Sequence, residues 1–282
     1  MVFTKSKASV KVAWSILVAA CVCLAPVLRA EQNSLQQVID SEHRSEANRA
    51  RDKYRHPLKT IEFFGVNPQM DVLEIWPGGG WYSEILAPYI KGDFYAAHFN
   101  PQAEVAYFRR SRDSYSALLA ASPQQYSRVK MTYFDPGANA LAVPDASVDA
   151  VLTFRNVHNW LKGKSEHTAF ELFYRALRPG GVLGVVEHRA PAGRDWQSMR
   201  SSGYMTEAYV INLAQRAGFV LEASAEINAN PADSTDHPRG VWTLPPSLSL
   251  KDLDREHYLA VGESDRMTLR FRKPAHTSGN SK

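Results

Sequence analysis

From residue 67 onward the chain alternates short apolar runs with longer stretches in which apolar positions recur every three or four residues. The short runs at 71–75, 94–99, 129–134, 150–154, 182–187, 219–227 and 267–271 predict strands, since brief apolar, β-branched or aromatic segments bounded by turn residues fit buried extended chain. The periodic stretches 81–90, 104–121, 165–177 and 206–217 predict helices. Alternation of this kind predicts right-handed βαβ units, hence an α/β fold with a mostly parallel sheet covered on both faces. The last two strands are joined by a polar, Pro-containing segment, 228–262, with no evident helical period. That connection fits an antiparallel pair at one edge.

The N-terminal part has a different character. Residues 34–64 read as helical and highly charged, with Ser34 able to cap and Pro57 bound to interrupt, because proline lacks an N–H and clashes with the preceding turn. Arg49, Arg51, Asp52, Lys53, Arg55 and His56 crowd the stretch before Pro57, and composition alone reads them as a solvated face. Before that lies a basic start (Lys5, Lys7, Lys11), an apolar run from Val12 to Leu28 and a small residue, Ala30, ahead of Glu31-Gln32-Asn33. This is the pattern of an export signal cleaved after Ala30. A lipid anchor at Cys21 and an uncleaved membrane anchor rank below it. The expected organisation is a signal over 1–30, a helical extension over 31–66, one domain over 67–274 and a disordered tail over 275–282.

The sharpest local feature is Glu74-Ile75-Trp76-Pro77-Gly78-Gly79-Gly80-Trp81-Tyr82, a strand end, a glycine turn and a helix start. Glycine lets backbone take positive φ and approach a ligand closely, and the helix start offers free N–H groups. A dinucleotide fingerprint is only approximately met, because Gly78-x-Gly80 is followed by Trp81, Tyr82 and Ser83. A phosphate-cradling loop is excluded by the missing Gly-Lys-Ser/Thr. A ligandless tight turn stays open as the bland alternative.

These residues, together with Arg51-Asp52-Lys53-Tyr54-Arg55-His56-Pro57, Phe154-Arg155-Asn156-Val157-His158-Asn159-Trp160, Leu177-Arg178-Pro179-Gly180-Gly181 and Asp265-Arg266, resemble the class I S-adenosylmethionine (SAM)-dependent methyltransferases, and more narrowly an exported bacterial branch of them. The resemblance implies a Rossmann-like sheet of seven strands in the order 3-2-1-4-5-7-6 with the last strand antiparallel, SAM as cofactor and a small-molecule methyl acceptor. It implies cofactor contacts at Glu74, Trp76, Gly78, Gly79, Gly80, His98, Asn100 and Asp135. Trp76 stands where the family's turn has its first glycine, and the second strand ends in Ala97-His98-Phe99-Asn100 without the usual carboxylate.

For the chemistry, His158 is the candidate base, since imidazole titrates near neutrality, and Asn156 and Asn159 are candidates to orient the acceptor. Two other readings stand beside methyl transfer: an exported ligand-binding protein with a degenerate methyltransferase fold, favoured by Trp76, and a metal-assisted hydrolase using the rim histidines. No tight His spacing supports a metal, so none is expected.

Composition changes the picture in one respect. Of 33 basic residues, four lie within 1–30, which holds none of the 29 acidic ones. The net charge of +4 therefore belongs to the export segment, and nothing in the charge balance calls for a nucleic-acid partner or, after cleavage, for stable membrane insertion. Both cysteines, Cys21 and Cys23, lie there too, which leaves no thiol for catalysis and suits an oxidising, periplasmic compartment.

Overall fold

The computed structural model describes residues 1–2 and 35–275. Residues 3–30 of the expected signal, Cys21 among them, the Ser34 cap and nearly all of the expected tail lie outside the described residues. Among those described, no helix is long and apolar enough to cross a membrane.

One sheet of nine strands organises the molecule: β1 Val72–Ile75, β2 Phe94–His98, β3 Val129–Asp135, β4 Ala140–Leu141, β5 Val148–Phe154, β6 Leu177–Ala190, β7 Met205–Thr206, β8 Val220–Ala225 and β9 Arg266–Arg272. The order is β4-β3-β2-β1-β5-β6-β9-β8, with β7 beside β6. Setting aside the two-residue strands β4 and β7, this is the expected order, and β9 runs antiparallel to both neighbours. The strand β6 is longer than expected. It runs through Leu177-Arg178-Pro179-Gly180-Gly181 because Gly180 N–H donates to Lys273 O and Lys273 N–H to Gly181 O, both at 2.9 Å, prolonging the pairing with β9.

Alternate residues serve opposite faces, as period-2 side chains must. Leu73, Ile75 and Val151 pack with Trp160, Phe170, Phe173 and Leu269 on one face. Val72, Ala150, Leu152 and Phe154 pack with Ile61, Phe64, Ile85 and Leu86 on the other. The N-terminal extension is thus part of the core. Its chain breaks at His56 (φ +40), restarts with Pro57 as the first residue of helix Pro57–Phe64, and lays Phe64 over Gly184 of β6, where a Cβ would sit 2.7 Å from the ring.

Helices Ser83–Tyr89, Ala106–Ala121, Glu166–Ala176 and Glu207–Arg216 lie where the periodicity places them. Helices Val157–Gly163 and Trp196–Ser202 were not foreseen, and the connection 228–262, read as helix-free, contains a 3₁₀ turn, Gly240–Thr243, and helix Arg255–Val261. Each of these is at most two turns long, too short to display a period.

The sheet order reverses at β1, which pairs with β2 on one side and β5 on the other, both parallel. Connections leave such a point in opposite directions and open a crevice beyond the strand ends, the usual place for a ligand in this architecture. Here those ends are Ile75-Trp76 and Phe154-Arg155.

Candidate functional site

At the end of β1 the backbone turns through Trp76 (φ +46), Gly78 (φ +60) and Gly80 (φ +82). The left-handed conformation costs a non-glycine residue about 1–2 kcal/mol, so the surroundings must hold Trp76 in place. They do: its N–H donates to Ala97 O (2.8 Å), its indole Nε1–H to Phe134 O (3.0 Å), and its rings meet Phe99, Phe134 and Trp160 at centroid distances of 4.7, 5.7 and 5.8 Å. The three glycines differ in role. Gly78 and Gly79 have open space where a Cβ would stand, whereas a Cβ on Gly80 would lie 2.7 Å from Leu118 and 3.3 Å from Tyr115. Gly80 is there for helix packing.

Trp76 is the common wall of two cavities. The first, of about 220 Å³, is lined by Arg51, Arg55, Glu74, the 77–79 turn, Trp81, Tyr82, Arg155 and Asn156. Glu74 is buried at 2 % exposure and its Oε2 accepts from Ser83 Oγ–H at 2.7 Å; Ser83 in turn accepts from Tyr115 at 2.8 Å. Burial pushes the Glu74 carboxyl up to about 7, against smaller opposing effects of Ser83 and Arg155. The arginines opposite are crowded. Arg51, Arg55 and Arg266 all converge on one carboxylate, Glu263, at 2.7, 3.1 and 3.0 Å. Although burial pushes Glu263 up, Arg55, Arg266, Arg155 and Arg51 outweigh it and hold the group down at about 2. Arg55, 2 % exposed, also lies 4.7 Å over the Trp81 ring. The charge run read as a solvated face is therefore, at Arg55, a buried wall of the site.

The second cavity, of about 330 Å³, is lined by Trp76, Phe99, Asn100, Glu104, Phe108, Phe134, Asp135 and Asn159 among others. Phe99 and Phe108 stack at 4.4 Å. Asn100 Nδ2 donates to Asp135 Oδ2 at 3.1 Å, and Asp135 Oδ1 accepts from Ala138 N–H at 3.2 Å. Glu104, four residues beyond Asn100, also lines this cavity, whereas the end of β2 itself has no carboxylate.

Of the expected site residues, Glu74, Trp76, Gly78, Gly79 and Asn156 border the first cavity, and Trp76, Asn100, Asp135 and Asn159 the second. Asn156 is also a strut, donating to Ile75 O (3.0 Å) and Thr153 Oγ1 (3.3 Å) across the switch point. Three residues border neither. Besides Gly80, His98 is fully buried: its Nδ1 accepts from Phe99 N–H (2.8 Å), which leaves the proton on Nε2, donated to Gly78 O (3.3 Å). Burial lowers the ring to about 4, so it is a neutral prop under the turn. The side chain of His158 is buried, with Nδ1 3.0 Å from Glu187 Oε1. Sequence reasoning missed Arg51, Arg55, Arg155 and Glu104; the unusual density of arginine around Arg51 and Arg55 was the available signal.

His158, Glu187 and His188 bring three ligand-type atoms within 4.8 Å of one another. Glu187 is already occupied: Oε2 accepts from Val157 N–H (2.5 Å) and Oε1 from His188 N–H (2.7 Å) as well as facing His158. Burial first, then His158 and the cations Arg155, Arg266 and Arg55, push His188 well below the ordinary imidazole range. Both Glu187 oxygens are taken up by these backbone donors, so the carboxylate caps the start of helix Val157–Gly163 at the end of β6. A larger cavity of about 620 Å³ lies beyond β6, lined by Arg189, which Asp265 and Glu226 match, and by Arg194, which donates to Thr235 Oγ1 at 3.3 Å; it shares no lining residue with the two cavities beside Trp76.

Comparison with known proteins agrees with this geometry. Residues 73–185 match the family model described as a methyltransferase domain. No curated protein matches the chain in sequence. Among solved structures, it is similar to a SAM-dependent methyltransferase from Aquifex aeolicus (14 % identity, 86 % of this chain and 98 % of that one, TM-score 0.54). It is also similar to the [4+2]-cyclase SpnF (17 %, 84 % and 86 %, 0.54) and to the PH0226 protein from Pyrococcus horikoshii OT3 (12 %, 83 % and 94 %, 0.52). The chain therefore has the fold of the class I methyltransferases, and residues 73–185 carry the match to their domain.

Proposed function

We propose that the chain is a SAM-dependent methyltransferase acting on a small molecule, exported to the periplasm as a member of an exported bacterial branch. The observation that carries this is the pairing, across Trp76 at the switch point, of a polar cavity holding Glu74 and unsatisfied guanidinium groups with an aromatic cavity edged by Asp135. The first has the donor set for a zwitterionic amino acid end: Glu74 for an ammonium, the Arg55 Nη1 atom, buried without a hydrogen-bond partner, for a carboxylate. The second suits a purine ring against Phe99 and Phe108, with Asp135 for its amino group. Ligand cavities ordinarily run to about 300–1,000 Å³: the first, at 220 Å³, falls short alone and the second, at 330 Å³, sits at the lower end, whereas the two together lie well inside the range.

When bound, SAM supplies an electrophilic methyl group on a sulfonium. The chain's own work is positioning and, for an acceptor that carries a proton, removal of that proton. His158, the base expected from the sequence, is buried against Glu187 and borders neither cavity, so we assign it no proton transfer; Asn159, on the rim of the second cavity, orients the acceptor. Export rests on the apolar run 12–28 behind Lys5, Lys7 and Lys11.

Calorimetry of the purified chain with SAM and its demethylated product S-adenosylhomocysteine tests the reading. Binding is expected, with 5′-methylthioadenosine, which lacks the amino acid end, binding more weakly. Absence of heat at millimolar ligand overturns it. Trp76 favours a second reading, a binding protein on a degenerate fold, because its indole separates the two cavities. Nucleoside binding without transfer of labelled methyl groups from SAM to any acceptor supplied supports that one.

A further inference from the structure

The cationic cavity holds more positive charge than a zwitterion can use. Arg51, Arg55, Arg155 and Arg266 face one buried carboxylate, Glu263, which is shared by three of them. Arg266 is further satisfied by Tyr54 O (2.7 Å) and Ser264 O (3.1 Å). The others are not: Arg55 Nη1 and Arg51 Nη2 are buried without a hydrogen-bond partner. The Arg155 guanidinium, on a residue in the left-handed region (φ +63), has no hydrogen bond or ion pair among the described residues. Arg44, nearby under Trp81, has its own partner in Asp52 at 2.6 Å and takes no share of Glu263. Glu74 offers little countercharge, since burial favours its neutral form. Burial and neighbouring cations weigh on Arg55 and Arg155 alike. Buried cationic groups short of partners are costly, and here Arg51 and Arg55 each keep one nitrogen unpartnered beyond their shared carboxylate while the Arg155 guanidinium has no hydrogen bond at all among the described residues, so the open cavity is a place for an anion.

SAM does not meet that demand. Its carboxylate brings one negative charge, but its ammonium and sulfonium bring two positive ones, so loading it adds to the surplus. We propose that Arg51 and Arg155, beside the Arg55 nitrogen left to the cofactor's carboxylate, bind a second oxyanion, and that the methyl acceptor is a small molecule bearing a carboxylate or phosphate. The oxyanion site stands on the arginines alone; its assignment to the acceptor rests on the methyltransferase reading.

The test uses malonate and inorganic phosphate as probes, titrated by calorimetry at constant ionic strength into the purified chain, alone and with saturating S-adenosylhomocysteine. Expected is binding of at least one probe that persists with S-adenosylhomocysteine bound, and whose affinity falls at least about tenfold, as for loss of one charge-assisted hydrogen bond, in Arg155→Gln and in Arg51→Gln. Arg51 is the safeguard against misfolding, because its side chain is 25 % exposed, and circular dichroism verifies both variants. Two outcomes overturn the proposal: no probe binding that the variants lose, or strict competition with S-adenosylhomocysteine, which would reduce the arginines to holders of the cofactor's own carboxylate. Probe binding with no S-adenosylhomocysteine binding refutes the methyltransferase reading and leaves the oxyanion site standing. Malonate without phosphate marks a carboxylate acceptor, and the reverse a phosphate.

Discussion

Replacing Glu74 by glutamine isolates the electrostatics at the heart of the site. The carboxyl is 2 % exposed and its folded value of about 7 lies above an ordinary 4.5. Between those values the unfolded chain has released the proton and the folded chain still holds it. Stability therefore falls as pH rises through the window, by about 1.4 kcal/mol per unit, or roughly 3 kcal/mol in all. Below 4.5 the group is neutral in both states, and above 7 the full cost is present. Glutamine keeps the shape and can still accept from Ser83, but never ionises. The Glu74→Gln variant should match the wild type near pH 4.5 and exceed it by roughly 3 kcal/mol at pH 8.

The wild-type profile alone would hide this. His98 is held at about 4 against an ordinary 6.5, so over nearly the same window its contribution rises with pH as Glu74's falls. Only the difference between variant and wild type, from urea unfolding followed by circular dichroism at pH 4.5 to 8, separates them. A difference that stays flat across the range refutes the reasoning, because it means that Glu74 ionises in the folded state as it does in the unfolded one.

Three further outcomes follow from the same geometry. Glu263→Gln breaks the carboxylate shared by three arginines and should cost about 3–5 kcal/mol at neutral pH in urea unfolding; since Glu263 is held at about 2, the wild type should lose that margin as pH falls from 4.5 towards 2. Gly78→Ala should cost about 1–2 kcal/mol for its left-handed backbone alone, whereas Gly80→Ala should cost more, because Tyr115, tied to Ser83, stands 3.3 Å from the new Cβ; equal losses would contradict the packing role. Trp76→Ala removes the wall between the cavities and should destabilise by about 3 kcal/mol while tightening 5′-methylthioadenosine in calorimetry; weaker binding would make the indole a stacking surface for the ligand instead.

The fold was legible because its strands are short apolar runs cut by glycine and proline, and because the glycine turn marks the first βα junction. Strand order followed from resemblance, not from the runs themselves. Two kinds of feature escaped for distinct physical reasons. Helices Val157–Gly163, Trp196–Ser202 and Arg255–Val261 are seven residues each, too short for a period to rise above the local composition. Side-chain roles escaped where a neighbour in space outbids the ligand. His98 sits at a strand end, where sequence logic puts a ribose contact, yet the amide of the next residue captures its Nδ1 and turns the ring under Gly78.

The arginines were misread for the opposite reason. Arg51 and Arg55 lie in a charged run that resembles solvated surface, and the carboxylate that draws them inward, Glu263, is more than 200 residues away. Topology brings it there: β9 inserts between β6 and β8, so the turn preceding it reaches the same crevice as the end of β5 and the N-terminal extension. Arg155 follows Phe154 at that strand end, on a left-handed backbone of its own. Each of these elements supplies its cation independently, and only one carboxylate arrives to meet them. A chain that needed these contacts merely to pin its extension to the sheet would do better with matched charges, as Arg44 and Asp52 show a few residues away. At the switch point several cations crowd one carboxylate around an open cavity, which is why we assign the surplus to a ligand and not to the fold.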